Sequence, residues 1–125
     1  MATLTGLAPV LVVPEVEETL AYYRDRLGFE TEAWKPNPAA YGYARRDGLS
    51  LHFNQGEQPR PNHEVVQPDL FDVYVWVDDV NALHDEFVKR GADLLHAPIE
   101  RPWGHLEIRI QDPNGYILAF GEPIA

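Results

Sequence analysis

The sequence predicts an α+β fold of two βαβββ modules, their strands forming a cupped mixed sheet with the helices on the outside. Three observations predict it. Short runs with period-two or continuous apolar character alternate with two stretches whose apolar residues recur at helical spacing. The order of elements repeats: strand, "PEV", helix, glycine in the first half is answered by strand, "DDV", helix, glycine in the second. Each half also closes on a hairpin with a tight-turn sequence, "DG" at 47–48 and "DPNG" at 112–115, so that "DGLSLHF" matches "NGYILAF".

In chain order, "LAPVLVV" (7–13) is β-branched and ends at Pro14, which marks a strand. Val16, Leu20, Tyr23 and Leu27 then fall on one helical stripe, and Gly28 stands at the expected C-terminal cap. "FETEAW", "AYGYARR" and "LSLHFNQ" read as three strands. Residues 56–69, "GEQPRPNHEVVQPD", hold three prolines without periodicity and read as a linker. "FDVYVWV" restarts the pattern as a strand. Val80, Leu83 and Phe87 mark a second helix ending at Gly91. "DLLHAPIE" reads as a short strand or edge, and "HLEIRIQ" and "YILAFGE" as the closing pair. Module one thus covers about residues 5–55 and module two about 70–123 of one domain. Modules this small bury too little surface alone, so the two sheets are expected to combine.

Composition narrows the function. The chain has 125 residues and 45% hydrophobic content, enough for an ordinary core. It contains no cysteine, which removes disulfides and thiolate chemistry and fits a cytoplasmic location. The N-terminal stretch has no basic region before its apolar run, so no signal peptide is expected, and no run is long enough to span a membrane. Twenty acidic against ten basic residues give a net charge of −10. That field repels nucleic acid and attracts a cationic small molecule.

Strand alternation assigns faces. Leu49, Leu51 and Phe53 oppose Ser50, His52 and Asn54. Phe71, Val73, Val75 and Val77 oppose Asp72, Tyr74 and Trp76. Tyr116, Leu118 and Phe120 oppose Ile117, Ala119 and Gly121. The oily faces are expected under the helices. The mixed faces, rich in Asp, His, Tyr and Trp, are expected to line the hollow of the sheet as a ligand site. Trp103 lies between Pro102 and Gly104, a poor place to bury an indole.

The paired modules, with "PVL" (9–11), "DRLGF" (25–29), "VWV" (75–77), "PWG" (102–104) and "DPNG" (112–115), resemble the vicinal oxygen chelate superfamily. That superfamily includes glyoxalase I, extradiol dioxygenases, fosfomycin-inactivating transferases and bleomycin-resistance proteins, and the likeness is greatest to the last. It runs from about Leu4 to Glu122. "RLGF" and "DPNG" occur across the superfamily, whereas "VWV" with "PWG" is more specific to the drug-binding branch.

The resemblance implies where an enzyme of this kind holds a divalent metal: the first and last strand of each module, with His, Gln or Glu donors. Those places fall here at Ala8 or Val10, at Ser50 or His52, at Asp72 and at Ala119. Two have no donor in either register, so neither a metal nor another cofactor is expected, and no catalytic residue is assigned. His63, His84, His96 and His105 lie outside these places and are read as surface or loop histidines. Ser50 and His52, two apart on a strand at about 3.3 Å rise per residue, are too far apart for direct activation of a nucleophile.

The resemblance further implies a homodimer with exchanged N-terminal arms hinged at Pro9. It implies a drug groove between subunits, walled by Trp103 and by Tyr41. Asp72, with Glu107 as a weaker candidate, is placed to meet a cation. The expected ligand-binding set is therefore Trp103, Tyr41, His52, Ser50, Asp72, Tyr74, Trp76 and Glu107. The leading expectation is a metal-free protein that sequesters a planar, cationic compound such as a bleomycin-type antibiotic, and so confers resistance. The alternative is a glyoxalase-like lyase, isomerase or transferase, or a dioxygenase-type enzyme, with an incomplete or unusual metal site of His52, Asp72 and water, or with no metal. A regulatory module without a small ligand is a third reading. The loop from Lys35 to Gly48 is longer and richer in proline than the drug binders lead one to expect, which bears on ligand identity.

Overall fold

The computed structural model describes residues 1–34 and 39–124, and Lys35–Pro38 of the proline-rich loop lie outside the described residues. The chain divides into two compact units, Met1–Pro59 and Arg60–Ala125. The repeat seen in the sequence reappears as repeated topology.

In the first unit, β1 (Val10–Val13) is followed by α1 (Val16–Leu27), β2 (Glu30–Trp34), β3 (Tyr41–Arg46) and β4 (Leu49–Gln55). The sheet order is β1-β4-β3-β2, with β1 parallel to β4 and the other pairs antiparallel. Val16, Leu20, Tyr23 and Leu27 are all buried, as their spacing requires. They face Ala44, Leu51 and Phe53, with the Tyr23 and Phe53 rings 4.9 Å apart. Each such side chain removed from water contributes roughly 1.5–3 kcal/mol. The helix stops at Gly28, whose φ of 76° is left-handed, and Arg46 donates to the Leu27 carbonyl at 2.7 Å. The Asp47-Gly48 turn has positive φ at both residues, 50° and 81°, as a two-residue hairpin demands.

In the second unit, α2 (Asn62–Val65) precedes β5 (Val73–Trp76), α3 (Val80–Arg90), β6 (Ile99–Arg101), β7 (His105–Gln111) and β8 (Ile117–Pro123). The order β5-β8-β7-β6 repeats the first sheet, again with its first and last strands parallel. Val80, Leu83 and Phe87 of α3 are buried, together with Ile108, Ile110, Leu118 and Phe120 of the sheet. Asp79 caps α3 by accepting from the Ala82 N–H, and Gly91 ends it.

Two expectations need correction. Residues 56–69 are not wholly irregular, because a helical turn forms at Asn62–Val65. Pro61 precedes it and Asp72 accepts the Asn62 N–H at 2.8 Å, so a distant carboxylate supplies what local periodicity lacks. Strand β5 begins at Val73, so alternation does not extend back to Phe71. No helix among the described residues is long and apolar enough to cross a membrane.

Candidate functional site

The second unit holds a cavity of about 390 Å³ lined by Phe71, Tyr74, Trp76, Trp103 and His105. That volume falls within the range of small-molecule sites. Tyr74 and Trp76 come from one face of β5, where the two-residue period puts them side by side with ring centroids 4.9 Å apart. His105 opens β7 and meets Trp76 edge-on at 4.4 Å. Phe71 reaches in from the segment before β5, 5.2 Å from Tyr74. Trp103 rides on the turn between β6 and β7, where Gly104 takes a φ of 83°. Trp76 and Trp103 are 61% and 50% exposed, which is unusual for indoles unless a partner covers them.

Tyr74 is the centre of this arrangement. Its hydroxyl is 3.1 Å from His105 Nδ1. Its ring lies directly over Gly121 of β8, where any Cβ would meet the phenol. Burial, as the main cause, pushes the phenol above its ordinary value; the Trp103 indole N–H pulls it down, and the Glu107 carboxylate pushes it up. The phenol therefore keeps its proton at physiological pH.

Beneath the rings lies a buried charge cluster. Glu107 is fully buried and its Oε2 accepts from Arg101 Nε at 3.0 Å and from Arg109 Nε at 2.6 Å. Among the described residues Glu107 Oε1 has no hydrogen-bond partner. The Arg101 guanidinium stands over the Trp103 ring at 5.8 Å, and that of Arg109 over Phe71 at 5.3 Å.

The structure brings Tyr74, Trp76 and Trp103 together, with Glu107 behind them. Asp72 is near in sequence but engaged otherwise: its two oxygens accept the backbone N–H groups of Asn62 and Ile117, each at 2.8 Å. In the first unit Tyr41 and His52 meet, with Tyr41 Oη 2.7 Å from His52 Nδ1. Trp34 and Tyr43 join them, at 5.9 Å from Tyr41 and 5.6 Å from His52. Tyr43 donates to Glu32, a bond that raises its own phenol pKa. Ser50 accepts from Arg45 Nε at 3.3 Å.

Two members of the second-unit cavity were not expected. The sequence places His105 among surface or loop histidines, whereas it is the first residue of β7 and bonds Tyr74. The signal available was its place at the start of "HLEIRIQ", directly after "PWG". Alternation assigns Phe71 to the oily face, and it turns instead to Tyr74 because regular strand geometry starts two residues later.

The residues at the family's metal positions do not fit a metal. The ladder pairs Val10 with His52 in the first sheet and Tyr74 with Ala119 in the second, so His52 is the counterpart of Ala119. One of that pair has an imidazole, already bonded through Nδ1, and the other a methyl group. Asp72 is committed to backbone amides. Among the described residues no three His, Cys, Asp or Glu side chains converge to hold an ion.

Comparison with known proteins agrees with the fold. The sequence model of the Glyoxalase/Bleomycin resistance protein/Dioxygenase superfamily matches residues 6–120. A virulence protein of Salmonella typhimurium is 25% identical over 118 residues, covering 90% of this chain and 80% of the relative. The bleomycin-binding protein of Streptomyces verticillus, solved with copper(II)-bleomycin, superposes with a TM-score of 0.74 and 26% identity, covering 96% of this chain and 97% of its own. A glyoxalase-related enzyme from Clostridium phytofermentans superposes with a TM-score of 0.80 at 19% identity, covering 98% of each chain.

Proposed function

The chain belongs to the Glyoxalase/Bleomycin resistance protein/Dioxygenase superfamily, and from that footing we propose that it binds a planar small molecule by stacking and sequesters it without chemistry. The observation that carries the reading is the cavity walled by Phe71, Tyr74, Trp76, Trp103 and His105, with two half-exposed indoles. Aromatic walls suit flat ligands, because ring pairs gain about 0.5–1.5 kcal/mol beyond the area they bury. The bleomycin-binding protein of Streptomyces verticillus makes a bleomycin-type antibiotic the first ligand to try, and the net charge of −10 favours a ligand with a positive group. Resistance by sequestration in the cytoplasm is the role such binding would serve.

The same reading takes the protein as a homodimer. Leu4 and Leu7 of the N-terminal segment are 96% and 91% exposed, and a second copy that exchanged this arm would cover them. Tyr41 and His52 are then proposed as further contacts of a bound ligand, with Ser50 beside them.

The test is a titration of tryptophan fluorescence with bleomycin and a panel of planar compounds. Saturable quenching that Trp103→Ala weakens at least tenfold, with unchanged thermal stability, is the expected outcome. Trp103 is half exposed, so its loss should leave the core intact. If Trp103→Ala binds as well as the natural protein, stacking at this cavity is not how the ligand is held.

A further inference from the structure

The composition of the whole chain and the charges at the cavity point in opposite directions. The chain is strongly acidic, yet the groups behind the aromatic walls are basic. Arg101 lies over Trp103 at 5.8 Å and Arg109 over Phe71 at 5.3 Å, and neither arginine is among the residues lining the cavity. Both guanidiniums share one carboxylate, Glu107, through the same oxygen. Two positive charges against one negative leave a local excess of one positive charge. Arg109 and Glu107 are nearly or wholly removed from water, so salt cannot screen them as it screens surface charge. Asp72, which follows Phe71 in sequence, has both oxygens satisfied by backbone N–H donors.

An aromatic ring attracts a cation because its faces are electron-rich. Here two of the walls, Trp103 and Phe71, each already hold a guanidinium on one face. A second cation on the other face would meet a ring whose electron density is drawn away, and would be repelled by the guanidinium behind it. An electron-rich ring, neutral or anionic, gains from the same polarisation. Building on the proposal that this cavity holds a planar ring, we propose that the ring seated between Phe71 and Trp103 is uncharged or anionic. Any positive group of the ligand stays outside, in the field of the acidic surface. The cavity thus selects against ring cations, the opposite of what an unbacked aromatic cage does.

Calorimetric titration with three two-ring probes of similar size tests this: 2-naphthol (neutral), 2-naphthoate (anionic) and N-methylquinolinium (cationic). Each is measured at low salt and in 1 M NaCl, where the field of the surface is screened within about 3 Å. In high salt the neutral and anionic rings should bind at least tenfold more tightly than the cation, a difference of about 1.4 kcal/mol. Equal or tighter binding of N-methylquinolinium overturns the proposal while leaving stacking intact. Binding of none of the three overturns the stacking reading itself, and this proposal with it. Arg101→Gln keeps the Glu107–Arg109 pair and should narrow the preference about threefold to tenfold. An unchanged preference in a folded variant would show that the guanidiniums do not set it.

Discussion

Gly121→Ala is the sharpest probe of the cavity. The backbone of Gly121 does not adopt a positive φ, so glycine is not needed there for conformation. It is needed for space. An added Cβ would collide with the Tyr74 hydroxyl and lie 2.8 Å from its Cζ and 3.1 Å from its Cε1. The phenol must therefore leave the floor of β8. Overpacking of this kind costs about 1–3 kcal/mol, and the broken bond to His105 adds about 1 kcal/mol. A total of about 2–4 kcal/mol should lower the melting temperature by roughly 10 °C in a chain of this size. The displaced ring has the cavity to move into, so affinity for a planar ligand should fall at least tenfold. Pairing the change with Tyr74→Ala separates this from general damage. With the phenol gone the new methyl has room, and the double variant should be more stable than the sum of the single effects predicts by at least about 1 kcal/mol. Additive effects, or a Gly121→Ala protein with natural stability and affinity, would refute the claim that Tyr74 is seated by the absence of a side chain at 121.

Two further outcomes follow from the buried polar groups. Glu107→Ala strands the Arg109 guanidinium, only 6% exposed, with the Asp69 carbonyl as its remaining acceptor, and should cost about 3–5 kcal/mol in urea denaturation; a loss below about 1 kcal/mol would mean the cluster is not buried as described. The raised phenol of Tyr74 has a defined pH signature. Folding favours its protonated form, so its contribution is complete below the ordinary tyrosine value of about 10 and is lost as pH rises through the higher folded value. An ultraviolet titration compared with Tyr74→Phe should therefore lose a tyrosine that ionises above the ordinary value; ionisation of Tyr74 near or below 10 would contradict the burial.

Much of the fold was legible because periodicity and punctuation agreed. Val16, Leu20, Tyr23 and Leu27 declared one buried stripe, Gly28 and Gly91 ended both helices, and the "DG" and "DPNG" turns fixed the hairpin registers. What failed was anything set by contacts distant in sequence. The turn at Asn62–Val65 depends on Asp72, and the direction of Phe71 depends on where β5 begins. Among site residues, Tyr74, Trp76 and Trp103 could be placed from alternation and loop position. The ion cluster could not. Arg101, Glu107 and Arg109 lie on two strands whose antiparallel register only the folded sheet reveals. Total charge gave no hint of it, because a sum over the surface says nothing about which few charges sit behind one ring.

The missing metal donor and the aromatic cavity are two sides of one substitution. In the first sheet β1 contributes Val10 and Val12 opposite His52 and Asn54. In the second sheet the same ladder positions hold Tyr74 and Trp76 opposite Ala119 and Gly121. Where the first strand is small the last strand carries polar side chains; where the first strand carries two large rings the last strand has a methyl group and a hydrogen. Packing at native density forces that exchange, since a long donor at 119 or 121 would occupy the volume that the rings fill. A small residue at these positions follows from the packing alone. It is the spatial requirement for laying Tyr74 against the sheet, where its hydroxyl reaches His105 and its ring forms the floor on which a flat ligand can rest.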